Sequence, residues 1–193
     1  MRKRTVFAGV LTAGECELDV FALRQTAGHA PKETGGWAKP GCGIGYRTQL
    51  AFALSGKTWL RELTDEQTGV ALAYAVGGEK APGRSFRHEN TALAAVASSP
   101  VAKDLLLHAN LGWSRSQAER LTSTTWALAL ERTGDGGLDV GAEIYGDDRS
   151  AAWLGVGARW ALRQQKLSVD FSWAVQTDSA RAKLVTIGLK LAF

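Results

Sequence analysis

Along the C-terminal part of the chain, hydrophobic and polar residues alternate with period two. From Val185 the odd positions read Val185, Ile187, Leu189, Leu191 and Phe193, separated by Thr186, Gly188, Lys190 and Ala192. Upstream, Leu167, Val169, Phe171, Trp173 and Val175 alternate with Ser168, Asp170, Ser172 and Ala174. The same pattern holds for Leu154 to Leu162, with Arg159 on the polar face, and for Leu138 to Tyr145, with Asp139 and Glu143 there. It continues through Thr124 to Leu130, Leu105 to Trp113, Val70 to Val76 and Ile44 to Leu54, and more weakly through Thr91 to Ala97 and Glu15 to Gln25. Period-two alternation gives an extended strand one apolar and one polar face. These segments predict about ten strands (8–12) of ~9 residues, the length a tilted strand needs to cross a bilayer.

The connections supply a second criterion. Gln176 to Lys183, Gly146 to Ser150, Ser114 to Leu121 and Gly77 to Asn90 are mostly longer and more charged. They alternate with the shorter, turn-like Arg163 to Lys166, Thr133 to Gly137 and Ser98 to Lys103. Bilayer-spanning barrels have this asymmetry of long outer loops and short inner turns. Ser55 to Gln67 is long for an inner turn. Its Trp59, Leu60 and Leu63 suit one side of a short interfacial helix, the alternative being that a strand there is misassigned. Ala92 to Leu111 has helical propensity, but Pro100 interrupts it and Leu105 to Trp113 alternates strictly. The fold class expected is all-β: a transmembrane, antiparallel, up-and-down β-barrel over residues 14–193.

Composition agrees. Of 193 residues, 22 are glycine and seven tryptophan, against one methionine, a balance that suits strands better than helices. Lys and Arg number 23 against 19 acids, but apart from Arg2-Lys3-Arg4 the bases lie singly between acids, so no nucleic-acid partner is expected. No apolar run approaches the ~20 residues of a membrane-spanning helix. Met1-Arg-Lys-Arg before Thr5 to Leu11 has the charge order of a secretory leader with a minimal apolar segment. Residues 1–13 are therefore read as an N-terminal extension or the remnant of a leader. Glu15 before Cys16 argues against a lipoprotein processing site. With Cys16 starting the first strand and Cys42 starting the return strand, the cysteines are expected at opposite ends, a ~30 Å bilayer apart, and unbonded.

In lipid a spanning sheet must close, with its apolar face outward. The polar face then lines a lumen, and the residues expected there are Arg47, Gln49, His108, Asn110, Glu131, Asp139, Glu143, Arg159, Asp170 and Lys190. Small residues such as Gly43, Gly45, Ala71, Ala73, Ala75, Gly155 and Gly157 share that face and leave part of it without bulk. Charges of both signs can pair across it as struts, because small barrels are filled by side chains. The other use of such a face is a polar route. Trp113, Trp126, Trp173, Tyr46 and Tyr74 fall near the long-loop ends, with Trp160 and Phe193 near the opposite ends, where aromatic girdles belong.

No enzyme is expected. His108 pairs with no serine on its own strand, since Ser114 lies ~20 Å along it. A serine from a neighbouring strand is the remaining route to a triad, and a satisfied lumen histidine the simpler reading. His29, His88 and His108 are scattered, no Cys/His spacing suits a metal, and no phosphate-binding glycine motif is present, so no cofactor is expected.

Thr186-Ile-Gly188-Leu-Lys-Leu191-Ala-Phe193 resembles the C-terminal assembly signal of Gram-negative outer-membrane barrels, with a polar residue, a glycine two later and alternating hydrophobics ending on an aromatic. The resemblance implies an outer-membrane location, the lipid bilayer and the barrel-assembly machinery as partners, and Thr186, Gly188, Leu191 and Phe193 as the signal. More loosely, the chain is similar to small outer-membrane transporters grouped with aromatic-degradation operons. The function expected is a passive transporter or pore for small solutes; the alternative is a structural or adhesive barrel with a plugged lumen, whose extracellular loops bind a partner. A soluble calyx would require the apolar face inside.

Overall fold

The computed structural model describes residues 13–26, 33–45, 48–51, 55–79, 87–117, 119–162, 166–179 and 181–192. They form twelve strands: β1 (Cys16–Thr26), β2 (Glu33–Gly45), β3 (Thr48–Ala51), β4 (Ser55–Arg61), β5 (Gly69–Glu79), β6 (Arg87–Ala102), β7 (Leu105–Ser116), β8 (Leu121–Thr133), β9 (Leu138–Asp147), β10 (Trp153–Leu162), β11 (Leu167–Gln176) and β12 (Lys183–Ala192). Each pairs antiparallel with its sequence neighbours. β1 pairs with β12 from Glu17 opposite Ala192 to Thr26 opposite Lys183, which closes the sheet into an up-and-down barrel. Among the described residues the only helical piece is a 3-10 turn, Asp135–Gly137, where Gly136 and Gly137 take φ of 74° and 80° that other residues resist.

Two strands escape the alternation, and they explain the difference between ten and twelve. β2 contains five glycines and a proline within its thirteen residues, so little hydrophobic periodicity is left to see. β4 occupies much of the segment read as a long linker. Trp59 and Leu60 belong to this strand and not to an interfacial helix. Ile44 to Leu54 is not one strand: Ile44 belongs to β2, which ends at Gly45, and β3 begins at Thr48. Other strands run longer than their periodic cores, β6 reaching Ala102 with a bulge between Pro100 and Ala102 that accommodates the missing proline N–H.

The corrected register also overturns the expectation for the cysteines. Because β2 begins at Glu33, its far end returns to the start of β1, and Cys16 lies opposite Cys42. The two form a disulfide with Cα atoms 4.2 Å apart.

Burial follows the two faces. Leu111, Val156, Phe171 and Ile187 are each half exposed or more on the outside. His108, Glu131, Ser168 and Ala174 are buried between them. The only buried apolar cluster described is small, Ala71 and Val96 with Trp59 and Ala73 against them. A folded domain in water puts its hydrophobic side chains inside; this one wears them as a belt, which water penalises and hydrocarbon does not. Trp113, Trp160 and Trp173 lie on that outer surface. Tyr46 and Phe193 lie outside the described residues.

Candidate functional site: the barrel lumen

The inward face is organised as ladders of charge running across the strands. Arg159 on β10 stands in register between Asp139 on β9 and Asp170 on β11, and its Nε donates to Asp170 Oδ1. Lys190 on β12 stands between Ser168 and Asp19, with Nζ 2.9 Å from Glu17 Oε2 and 3.5 Å from Asp19 Oδ1. Asp19 in turn lies opposite Lys39 on β2. Lys57 on β4 lies in register between Gln49 and Ala73. Arg47 is outside the described residues, and of Gln49 only the backbone register is described.

A second group spans β6, β7 and β8 near the short-turn end. Ser98 and His108 are register partners, and Ser98 Oγ lies 2.7 Å from His108 Nδ1. His108 Nε2 lies 3.4 Å from Glu131 Oε2. A ring protonated on Nε2 faces Glu131 and accepts from the serine hydroxyl on Nδ1. The serine of a neighbouring strand is therefore present, in the company a hydrolase would need. Ser98 and His108 are 0% and 1% exposed, however, so no substrate has a path to the hydroxyl. As folded, the trio ties three strands together. The hairpin through Lys103 and Asp104 would set Ser98 opposite Ala109, and the bulge between Pro100 and Ala102 shifts the register by one to bring it opposite His108.

Glu143 differs from the other inward carboxylates. Its side chain lies over Gly155, where an added Cβ would come within 3.0 Å of Glu143 Cγ and Oε1. It makes no hydrogen bond or ion pair with any described residue. Beside it toward the outer end, Tyr145 on β9 and Trp153 on β10 are register partners with parallel rings, 6° apart in plane and 6.2 Å between centroids. Asn110 is on the same rung beyond Ala127, and its Oδ1 is buried without a hydrogen-bond partner.

At the short-turn end the connection between β4 and β5 folds back on the wall. Leu63 lies so close to Gly69 that a Cβ there would sit 2.5 Å from Leu63 Cβ, and Gly69 is the register partner of Ser98. Thr64 and Gln67 exchange backbone hydrogen bonds to close this loop, and Thr68 Oγ1 bonds Ser99 Oγ at 2.9 Å.

Of the signal-like residues, Thr186 is half-buried on the inner face and Leu191 is exposed on the outer one. Gly188 is buried where Phe21 crosses it, 2.5 Å from the position of an added Cβ. Sequence reasoning missed Glu17, Asp19, Lys39, Lys57, Ser98 and Trp153 as inward residues. For Glu17 and Asp19 the alternation with Cys16, Leu18 and Val20 carried the information; for Lys39 and Lys57 the strands themselves were not visible.

No protein-family model and no curated protein matches the sequence. Solved structures do. The KdgM porin in complex with disordered oligogalacturonate superposes with a TM-score of 0.57 over 91% of this chain and 99% of its own, at 9% identity. A loop-deletion mutant of OmpT, an outer membrane protein of Vibrio cholerae, gives a TM-score of 0.40 at 7% identity, covering 92% of this chain and 98% of that one. Ail, the attachment invasion locus protein of Yersinia pestis, gives 0.27 at 11% identity, with coverage of 94% and 100%. Of these three, only the KdgM porin shares the fold at a score that carries weight, and at 9% identity it shares the fold alone.

Proposed function

We propose that this chain is an integral outer-membrane β-barrel that lets small polar solutes pass passively through its lumen. The observation that carries the reading is the inversion of faces: an apolar exterior around an interior of charged side chains separated by glycine and alanine. A wall built this way keeps water and polar solutes in contact with hydrogen-bonding groups while lipid meets only hydrocarbon. The fold shared with a porin supports it. In this reading the protein is not an enzyme, its partners are lipid and the assembly machinery, and Thr186, Gly188, Leu191 and Phe193 form the assembly signal. The transporters grouped with aromatic-degradation operons are the narrower family it resembles.

The plugged barrel has its own support in the Arg159–Asp170 pair, the Ser98–His108–Glu131 trio and the seat of Leu63. Planar-bilayer recording separates the two. A pore conducts as wild type, and Arg159→Ala changes its ion selectivity. A plugged barrel is silent as wild type, and Arg159→Ala either opens a leak or destabilises it, because Asp170 then loses its partner. Silence in wild type overturns the pore reading.

A further inference from the structure

Among the described residues, the acidic and basic inward side chains are not spread evenly around the barrel. On β8 to β11 stand Glu131, Asp139, Glu143 and Asp170 with Arg159, while on β12, β1, β2 and β4 stand Glu17 and Asp19 with Lys39, Lys57 and Lys190. Within the acidic wall, Arg159 is engaged by Asp170, and Glu143 is left without a counter-charge among the described residues. The wall around Glu143 is cut low. Ala129 on β8 and Gly155 on β10 flank it in register, with Ala174 beyond Gly155, and Ala127 separates Tyr145 from Asn110. The result is a stretch of small residues over β8 to β10 around the Glu143 carboxylate, with the parallel Tyr145 and Trp153 rings toward the outer mouth.

A carboxylate with no cation selects a positive charge, and ring faces add cation–π attraction and apolar contact. Residues two apart on one strand face are ~7 Å apart, so a charge at Glu143 and a flat group beside Tyr145 belong on one small molecule. We propose that this stretch of wall is a binding subsite for an organic cation, a primary ammonium carried on a flat apolar body, with Glu143 as counter-ion and Tyr145 and Trp153 as its platform. The subsite deepens the pore reading, since a solute passing from the outer mouth would meet these rings before the Arg159 ladder, and as a lumen site it rests on that reading.

The test is a charge series with a constant body: phenylethylammonium, 2-phenylethanol and phenylacetate, titrated by calorimetry into the folded full chain in detergent and, separately, applied to the protein in planar bilayers. Phenylethylammonium should bind at least about tenfold more tightly than either partner of the series. Glu143→Gln and Trp153→Ala should each weaken it about fivefold or more, with heat-modifiable mobility verifying the fold. Glu66→Gln, in the short-turn loop, should leave binding unchanged. Phenylacetate binding as tightly as the ammonium, or Glu143→Gln binding like wild type, would overturn the subsite even if the barrel conducts. Calorimetric binding that depends on Glu143 in a barrel that does not conduct would uphold the subsite and overturn the pore.

Discussion

The wall formed by β8 to β11 and the segment β1 to β4 solve the same problem of spanning a bilayer in different ways. In β8 to β11 every strand has at least ten residues, with apolar side chains outward and, apart from the Tyr145–Trp153 ring pair, polar or small ones inward, and neighbouring strands stay in register without a break. In β1 to β4 the strands vary from thirteen residues to four, glycine replaces side chains along β2, and the register shifts between Gly43 and Gly45 and again between Trp59 and Arg61. There a disulfide joins β1 and β2 at their foot. A regular wall holds through continuous hydrogen bonding and a uniform lipid face. An irregular one gains from a covalent clamp, which restricts the unfolded chain whatever the quality of the native packing.

The largest effect should come from placing charge on the regular wall's lipid face. Phe171→Arg puts a cation near the bilayer midplane and should cost about 2–4 kcal/mol, seen as loss of folded barrel in membrane fractions, while Ser172→Arg on the inner face is milder. Equal tolerance of the two would break the face assignment. Next comes the clamp. Cys42→Ser should lower unfolding stability in urea by about 3 kcal/mol, and hydrogen exchange should rise first in β1 and β2. Uniform loss of protection around the ring would show that the N-terminal strands are no weaker than the rest. Smaller again is Arg159→Ala, which removes a charged hydrogen bond from within the regular wall and should cost about 1.5 kcal/mol in the same titration. A cost as large as the disulfide's would show that the wall depends on its ion pairs more than on its regular sheet.

The contrast also explains what the sequence made legible. Wherever lipid demands a hydrophobic residue at every second position, as from Leu167 to Val175, the strand and its faces follow from the pattern. Inward residues face no such demand. Glycine serves as well as glutamate there, as Gly155 beside Glu143 shows, so the chemistry of the lumen is set by cross-strand register and not by periodicity. β2 lacks the outward demand as well, with Gly36, Ala38, Pro40 and Cys42 on its outer positions, and it could not be seen. Losing that one strand reversed the end at which Cys42 lies and with it the expectation about the disulfide. His108 was placed on the inner face by alternation, but its partners Ser98 and Glu131 come from two other strands that only the register brings beside it.

One face of this sheet meets hydrocarbon and the other meets water. Spin labels at Val169, Phe171, Ile187 and Leu189, and at Ser168, Ser172 and Thr186 between them, test it directly in reconstituted bilayers by their accessibility to oxygen and to a polar nickel chelate. The outward set should be relaxed by oxygen and shielded from the chelate, and the inward set should show the opposite order. Chelate access at Phe171 and Ile187 would contradict a lipid-facing exterior, and inward labels closed to the chelate would contradict an open lumen.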